Sequence, residues 1–168
     1  MTTLYLVRHG ETVDNAAQIL QGQTPGRLNA AGIRQAEELG RRMATVAIDA
    51  FVASDLHRAV QTAELIAAPH HQPVTTTPLL RERDWGGFTG RYIPDLKNAP
   101  WPADVETLEA MQQRARMFMD WLRRQYPGQT VLAVGHGIIN KAIQSVYYHQ
   151  PMNEVKKMGN AEVRVLEL

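Results

Sequence analysis

Leu4-Tyr5-Leu6-Val7-Arg8-His9-Gly10 is a short apolar run with a β-branched member, cut off by two basic side chains and a glycine. It reads as a buried strand entering a turn, which delivers Arg8 and His9 to the strand's carboxyl edge. The pattern recurs downstream. Ala50 to Ala53 is a second apolar run, ended by Ser54-Asp55, and Thr130 to Val134 is another, ended by Gly135-His136-Gly137. Val74 to Thr77 and Ala161 to Leu168 are further candidate strands, the last with looser alternation.

Helical spacings lie between these runs. Asn29 precedes Ile33, Ala36, Gly40, Met43, Ala44 and Ala47 on one side, and Ala59, Ala63, Ile66 and Ala67 mark a second helix up to Pro69. Leu108, Met111, Ala115, Phe118 and Leu122 give the strongest helical signal, closed by Tyr126-Pro127-Gly128, and Ile138 to Tyr147 reads as a helix too. Pro78 to Pro102, with Gly86, Gly87, Gly90, Pro94 and Pro100, reads as a site-forming loop with at most one short helix. Strands alternating with helices predict an α/β fold, a three-layer α/β/α sandwich with a mostly parallel central sheet. The expected organisation is a single domain over 1–168 with a small site-covering segment around 83–114.

In such sheets ligands sit beyond the carboxyl ends of the strands. Three strand ends, at Arg8-His9-Gly10, Ser54 to Arg58 and Gly135-His136-Gly137, therefore converge on one crevice. A lone His after a strand is more often structural than catalytic, but the company of His9 changes the odds. Arg8 and Arg58 are fixed cations with planar forks suited to phosphate. His136-Gly137 stands at a helix start, where free N–H groups favour an anion. Two histidines, two arginines and helix starts describe a pocket for a dianion neutralised by protein alone. A neutral imidazole can attack phosphorus and split one hard displacement into two easier ones. Zinc is the rival ligand, but the helical His-Glu-x-x-His pattern is missing and two arginines repel a cation, so neither metal nor organic cofactor is expected.

Composition agrees with a local anion site. The 168 residues are 44% hydrophobic and 21% charged, with a net charge of +1 and no long run of either sign to coat nucleic acid or a membrane. Zero cysteine rules out a disulfide framework, a thiolate nucleophile and any Cys-ligated zinc. The first ten residues lack a basic n-region and no apolar stretch reaches bilayer length, which gives a cytoplasmic expectation. The expected partner is a small phosphorylated substrate. Edge strands of such sheets often pair, so a homodimer is one expectation for assembly.

Leu6-Val7-Arg8-His9-Gly10-Glu11-Thr12 followed by Asn15 resembles the signature of the histidine phosphatase superfamily, also called the phosphoglycerate mutase-like family. Gln21-Gly22 resembles its Gln-Gly element, Gly32 to Ala36 its Gly-x-x-Gln-Ala helix, and Ser54 to Ala63 its Ser-x-Leu-x-Arg-Ala-x-Gln-Thr-Ala element. Leu80-Arg81-Glu82 with Gly86, Gly87 and Gly90 resembles the next motif, and Val134-Gly135-His136-Gly137 the last.

The resemblance implies a phosphoglycerate mutase-like fold. It makes His9 the phosphorylated nucleophile, with Arg8, Arg58 and His136 gripping phosphoryl oxygens. Asn15, Gln21, Gly22 and Gly137 become substrate-binding positions, and Glu82 the general acid. That acid must start protonated, for which an apolar surrounding such as Trp85 is expected. Asn29 stands where Thr is common and caps equally well. Ile138 replaces a common Gly and is expected to narrow the pocket. The stretch from Glu82 to His136 is short, whereas mutases of the family carry a larger cover. The leading expectation is a histidine acid phosphatase-type phosphomonoesterase. Its alternatives are a phosphoglycerate mutase, a protein phosphohistidine phosphatase and a non-catalytic phospho-ligand binder.

Overall fold

The computed structural model describes the whole chain, Met1 to Leu168. Its strands are β1 (Thr3–Arg8), β2 (Ala50–Ser54), β3 (Val74–Thr77), β4 (Thr130–Gly135) and β5 (Val163–Glu167). They form one sheet in the order β3-β2-β4-β1-β5. All pairs are parallel except β5, which runs antiparallel to β1 at the edge.

Helices cover both faces, which is why the central strands are almost continuously apolar. They are α1 (Val13–Ala17), α2 (Ala30–Met43), α3 (His57–Ala67), α4 (Leu108–Gln125) and α5 (Gly137–Tyr148). Leu4, Leu6, Val131 and Ala133 point to one side and pack with Met111, Phe118, Leu122, Ile139 and Ile143 of α4 and α5. Val7, Phe51, Leu132 and Val134 point to the other and meet Leu39 and Met43 of α2 and Ala59, Ala63 and Ile66 of α3. Each fully buried Leu, Ile or Phe in these layers contributes roughly 1.5–3 kcal/mol. The result is the expected α/β/α sandwich.

The helices differ from their sequence patterns in detail. Asn29 caps α2 as expected, its side chain accepting from Gly32 N at 2.8 Å. The helix stops at Met43 rather than Ala47, because Ile48 is drawn into the core beneath it and Val46 packs on the same cluster. Leu108, expected in the buried stripe of α4, is exposed at the helix start. Helix α1 shows no periodicity over five residues and is set by a capping box between Thr12 and Asn15. Three 3₁₀ turns, at Pro78–Leu80, Gly86–Phe88 and Ile93–Leu96, occupy the segment expected to hold at most one short helix. Single turns with i to i+3 bonds bury no apolar stripe and leave no period to read.

Register places the site. Arg8 of β1 is level with Gly135 of β4, and Ala53 of β2 with Val134. The chain therefore releases His9, His136 and Ser54 at one edge of the sheet. The loop after β1 also lies hard against α2: a Cβ at Gly10 would come within 2.6 Å of Gly32 O, and one at Gly32 within 2.0 Å of Glu11 O. Both glycines are required by that approach. No helix is long and apolar enough to cross a membrane.

Candidate active site

A cleft of about 200 Å³ opens at this carboxyl edge. It brings together Arg8 and His9 from the end of β1, Asn15 from α1, Gln21 and Gly22 from the following loop and Arg58 from the first turn of α3. Glu82 and Gly137 complete the lining drawn from the expected residues. His136 lies behind them, its ring edge-on to His9 with centroids 5.1 Å apart. Ile138 also lines the cleft, where the resemblance anticipated a narrowing.

His9 is 2% exposed, and its Nδ1 lies 2.7 Å from the carbonyl oxygen of Gly10. A carbonyl only accepts, so Nδ1 carries the hydrogen and Nε2 of the neutral ring keeps its lone pair. Burial, assisted by the charges of Arg58 and Arg8 and opposed by the Gly10 carbonyl, pushes the His9 pKa down to about 3. The ring is therefore neutral at any ordinary pH. Burial, followed by the charge of Arg58, also holds His136 well below the usual histidine range. Its Nε2 is 2.8 Å from Ser54 Oγ, which in turn accepts from Leu56 N at 3.2 Å. Its Nδ1 is buried without a partner in the protein.

Arg58 is aimed by backbone. Its Nη1 donates to Thr24 O at 2.5 Å and its Nη2 to Gly22 O at 2.8 Å, while Nε has no acceptor. The turn at Gly22, with φ of +54°, presents that carbonyl in a conformation that L side chains rarely adopt. Burial lowers the pKa of Arg58 to about 10. Arg8 is built alike: Nη1 donates to Met158 O at 2.9 Å and Nε is buried without an acceptor. Asn15 Oδ1 accepts from Thr12 N at 3.1 Å, which commits the oxygen and leaves the amide NH₂ to the cleft.

Glu82 corrects one expectation. Its oxygens meet backbone amides rather than an apolar wall. Oε1 accepts from Arg83 N, Ile138 N and Ile139 N at 2.8, 3.2 and 3.1 Å, and Oε2 from Ile138 N at 3.0 Å. The first turn of α5 thus holds the carboxylate as it would any anion. Trp85 is still part of the cleft wall.

Residues 4–168 match the family model of the histidine phosphatase superfamily (branch 1). The chain belongs to that superfamily. It is 38% identical over 141 residues to the uncharacterized phosphatase PhoE of Bacillus subtilis, covering 82% of this chain and 72% of the relative. It is 31% identical over 172 residues to the probable phosphoglycerate mutase GpmB of Erwinia tasmaniensis, covering 94% and 80% of the two chains. The structure of a mycobacterial glucosyl-3-phosphoglycerate phosphatase with VO3 superposes with a TM-score of 0.90 at 25% identity, covering 98% of this chain and 92% of that one.

Four residues of this histidine phosphatase superfamily enzyme were not singled out as site residues from sequence. Ser54, which touches His136, was visible as the polar end of a strand and the first residue of a motif, with no role attached. Arg114 looks like the exposed face of α4. Its guanidinium nonetheless binds the carbonyls of Leu79 (3.1 Å), Arg81 and Glu82 (3.4 Å) and pairs with Glu106 at 2.9 Å, clamping the loop that carries Glu82. Arg81 adds a bidentate pair to Asp55 at 2.7 and 2.8 Å. Lys157, from the segment before β5, lines the cleft, and nothing in its sequence neighbourhood marks it.

Proposed function

We propose that the protein is a metal-independent phosphomonoesterase of the histidine acid phosphatase type, acting on a small phosphorylated substrate through a phosphohistidine on His9. One observation carries the reading. Three buried nitrogens without partners in the protein, Arg8 Nε, Arg58 Nε and His136 Nδ1, surround a neutral histidine whose Nε2 is free. That arrangement suits the three equatorial oxygens of a phosphoryl group in transfer.

The steps follow from the placement. The Nε2 lone pair of His9 attacks phosphorus and the bond from phosphorus to the alcohol oxygen breaks. Glu82, through Oε2, gives its proton to the departing oxygen. In the second step the Glu82 carboxylate takes a proton from water, the water oxygen attacks phosphorus and the N–P bond breaks. Inorganic phosphate leaves and His9 is neutral again. The same reading sets the direction of the Ser54 contact: with the Ser54 O–H donating to His136 Nε2, the His136 proton sits on Nδ1, where a phosphoryl oxygen can accept it.

The test is phosphate release from p-nitrophenyl phosphate with EDTA present. Wild-type protein is expected to turn over, and His9→Ala to lose roughly 10³-fold or more in kcat while still binding vanadate. Release that EDTA stops, or that survives His9→Ala, overturns the reading. Because relatives include proteins named as probable phosphoglycerate mutases, 3-phosphoglycerate is assayed in parallel. Isomerisation faster than hydrolysis would transfer the assignment to a mutase.

A further inference from the structure

Beyond the phosphate cleft lies a second, larger hollow of about 520 Å³. The two share Leu20, Trp85 and Ile93, so the hollow continues the cleft outward. Phe88, Leu96 and Trp101 complete its apolar wall, and no carboxylate lines it. Its single charged residue is Lys97.

We infer that this hollow is the leaving-group subsite, and that the substrates are phosphomonoesters of alcohols with an extended apolar body rather than of compact, anionic ones. The inference rests on the phosphomonoesterase reading and names its substrate class. Geometry supplies the direction. The leaving oxygen departs in line with, and opposite to, His9 Nε2. With the phosphoryl oxygens held at the strand ends, the alcohol extends away from the sheet, toward the wall made by Leu20, Trp85 and Ile93.

The exposed surface supplies the chemistry. Trp101 is 59% exposed and Ile93 47%, an apolar patch left in water beside the catalytic groups of a chain whose other large apolar side chains mostly fill its two cores. The wall is also preformed. The Trp101 ring centroid is 5.6 Å from those of both Trp85 and Phe88. Arg83 lies 4.6 Å from the Trp85 ring and 5.3 Å from Trp101, and its Nε is fixed on Glu106 O at 2.7 Å. A rigid apolar surface gains binding energy without an ordering cost. A compact anionic alcohol would leave it wet.

Ethyl, hexyl and 4-phenylbutyl phosphate have leaving alcohols of similar acidity, so their kcat/KM values compare binding of the alcohol rather than its reactivity. For wild-type protein kcat/KM is expected to rise by about tenfold or more from ethyl to 4-phenylbutyl phosphate. Trp101→Ala and Leu96→Asp are expected to bring that ratio toward one. A flat wild-type series, with ethyl phosphate hydrolysed in a His9-dependent way, overturns the inference and leaves the phosphatase reading standing. So does an equal loss on all three esters in both variants. If no ester is hydrolysed, the phosphatase reading fails instead, and quenching of tryptophan fluorescence decides the subsite. Tighter binding of 4-phenylbutyl than of ethyl phosphate supports it, and equal binding rejects it. Self-association that Trp101→Ala abolishes, together with a flat series, would give the hollow to a second copy of the chain and overturn the inference.

Discussion

Arg58, on the floor of the cleft, is 1% exposed and has two guanidinium nitrogens tied to carbonyls, whereas Trp101, on its cover, is 59% exposed and held by ring contacts. The floor is built from strand ends and helix starts whose positions the sheet register fixes. The cover is built from 3₁₀ turns and aromatic packing. The floor nitrogens that the protein leaves without partners, on Arg8, Arg58 and His136, are the ones the proposed chemistry needs. The apolar area that the cover leaves in water is what an alcohol of suitable shape would bury. On the proposed function, reaction type is set by groups whose burial is costly without a ligand, and preference by groups that are cheap to change.

The sharpest way to break that contrast is Arg58→Met. Loss of one fixed donor to the transferring phosphoryl group is expected to lower kcat/KM by roughly 10²–10³-fold. Stability is expected to stay within about 1–2 kcal/mol of wild type, since a shorter unbranched apolar side chain removes a buried cation, which offsets the cost of leaving two carbonyls without their donors. Kinetics and thermal unfolding of one preparation check both. If stability falls in step with activity, the guanidinium holds the fold as much as the ligand, and floor and cover are less different than they look.

The acid branch of the stability curve gives the next largest effect. The His9 pKa is pushed down to about 3 and that of His136 well below the usual range, both chiefly by burial. In the unfolded chain both titrate near ~6.5. Between these limits the unfolded state binds more protons than the folded one, so stability is lost as pH falls below the unfolded value. The slope is about 1.4 kcal/mol per pH unit from His9 in that window, and His136 acts in the same direction. Urea unfolding from pH 7.5 to 4 measures it. Added phosphate is expected to offset part of the loss, because a bound dianion favours the charged imidazole. A double His9→Ala, His136→Ala variant with the wild-type slope would show that other groups govern acid unfolding.

The same contrast explains what could be read from the chain before its structure. Apolar runs ending in Arg8-His9-Gly10 and Gly135-His136-Gly137 carry both the sheet and the floor, because one local pattern specifies the strand and what its end delivers. The three-layer architecture and the convergence of strand ends were legible on that ground. Residues such as Arg114 and Lys157 were not, since their tasks depend on distant carbonyls and on how the segment before β5 folds back. Glu82 was legible as a residue and not as an environment: which atoms meet its oxygens depends on how the loop docks on α5. The cover was least legible, because single turns and ring contacts leave no periodic trace.

Ser54 offers the finest test, since it belongs to the floor without lining the cleft. Its hydroxyl is engaged on both sides, accepting from Leu56 N and meeting His136 Nε2. Ser54→Ala leaves that buried nitrogen without a partner and releases the ring from one tautomer. Groups that orient a reacting residue through one hydrogen bond typically cost 10–100-fold when removed, so a fall in kcat of about tenfold with little change in KM is expected. Ser54→Thr, which keeps the hydroxyl, is expected to recover most of it. A purely structural serine would lower the melting temperature in the Ala variant and leave kcat alone. That outcome would confine the rigid, chemistry-bearing floor to the side chains that touch the phosphoryl group, whereas loss with rescue extends it one hydrogen bond deeper, into β2.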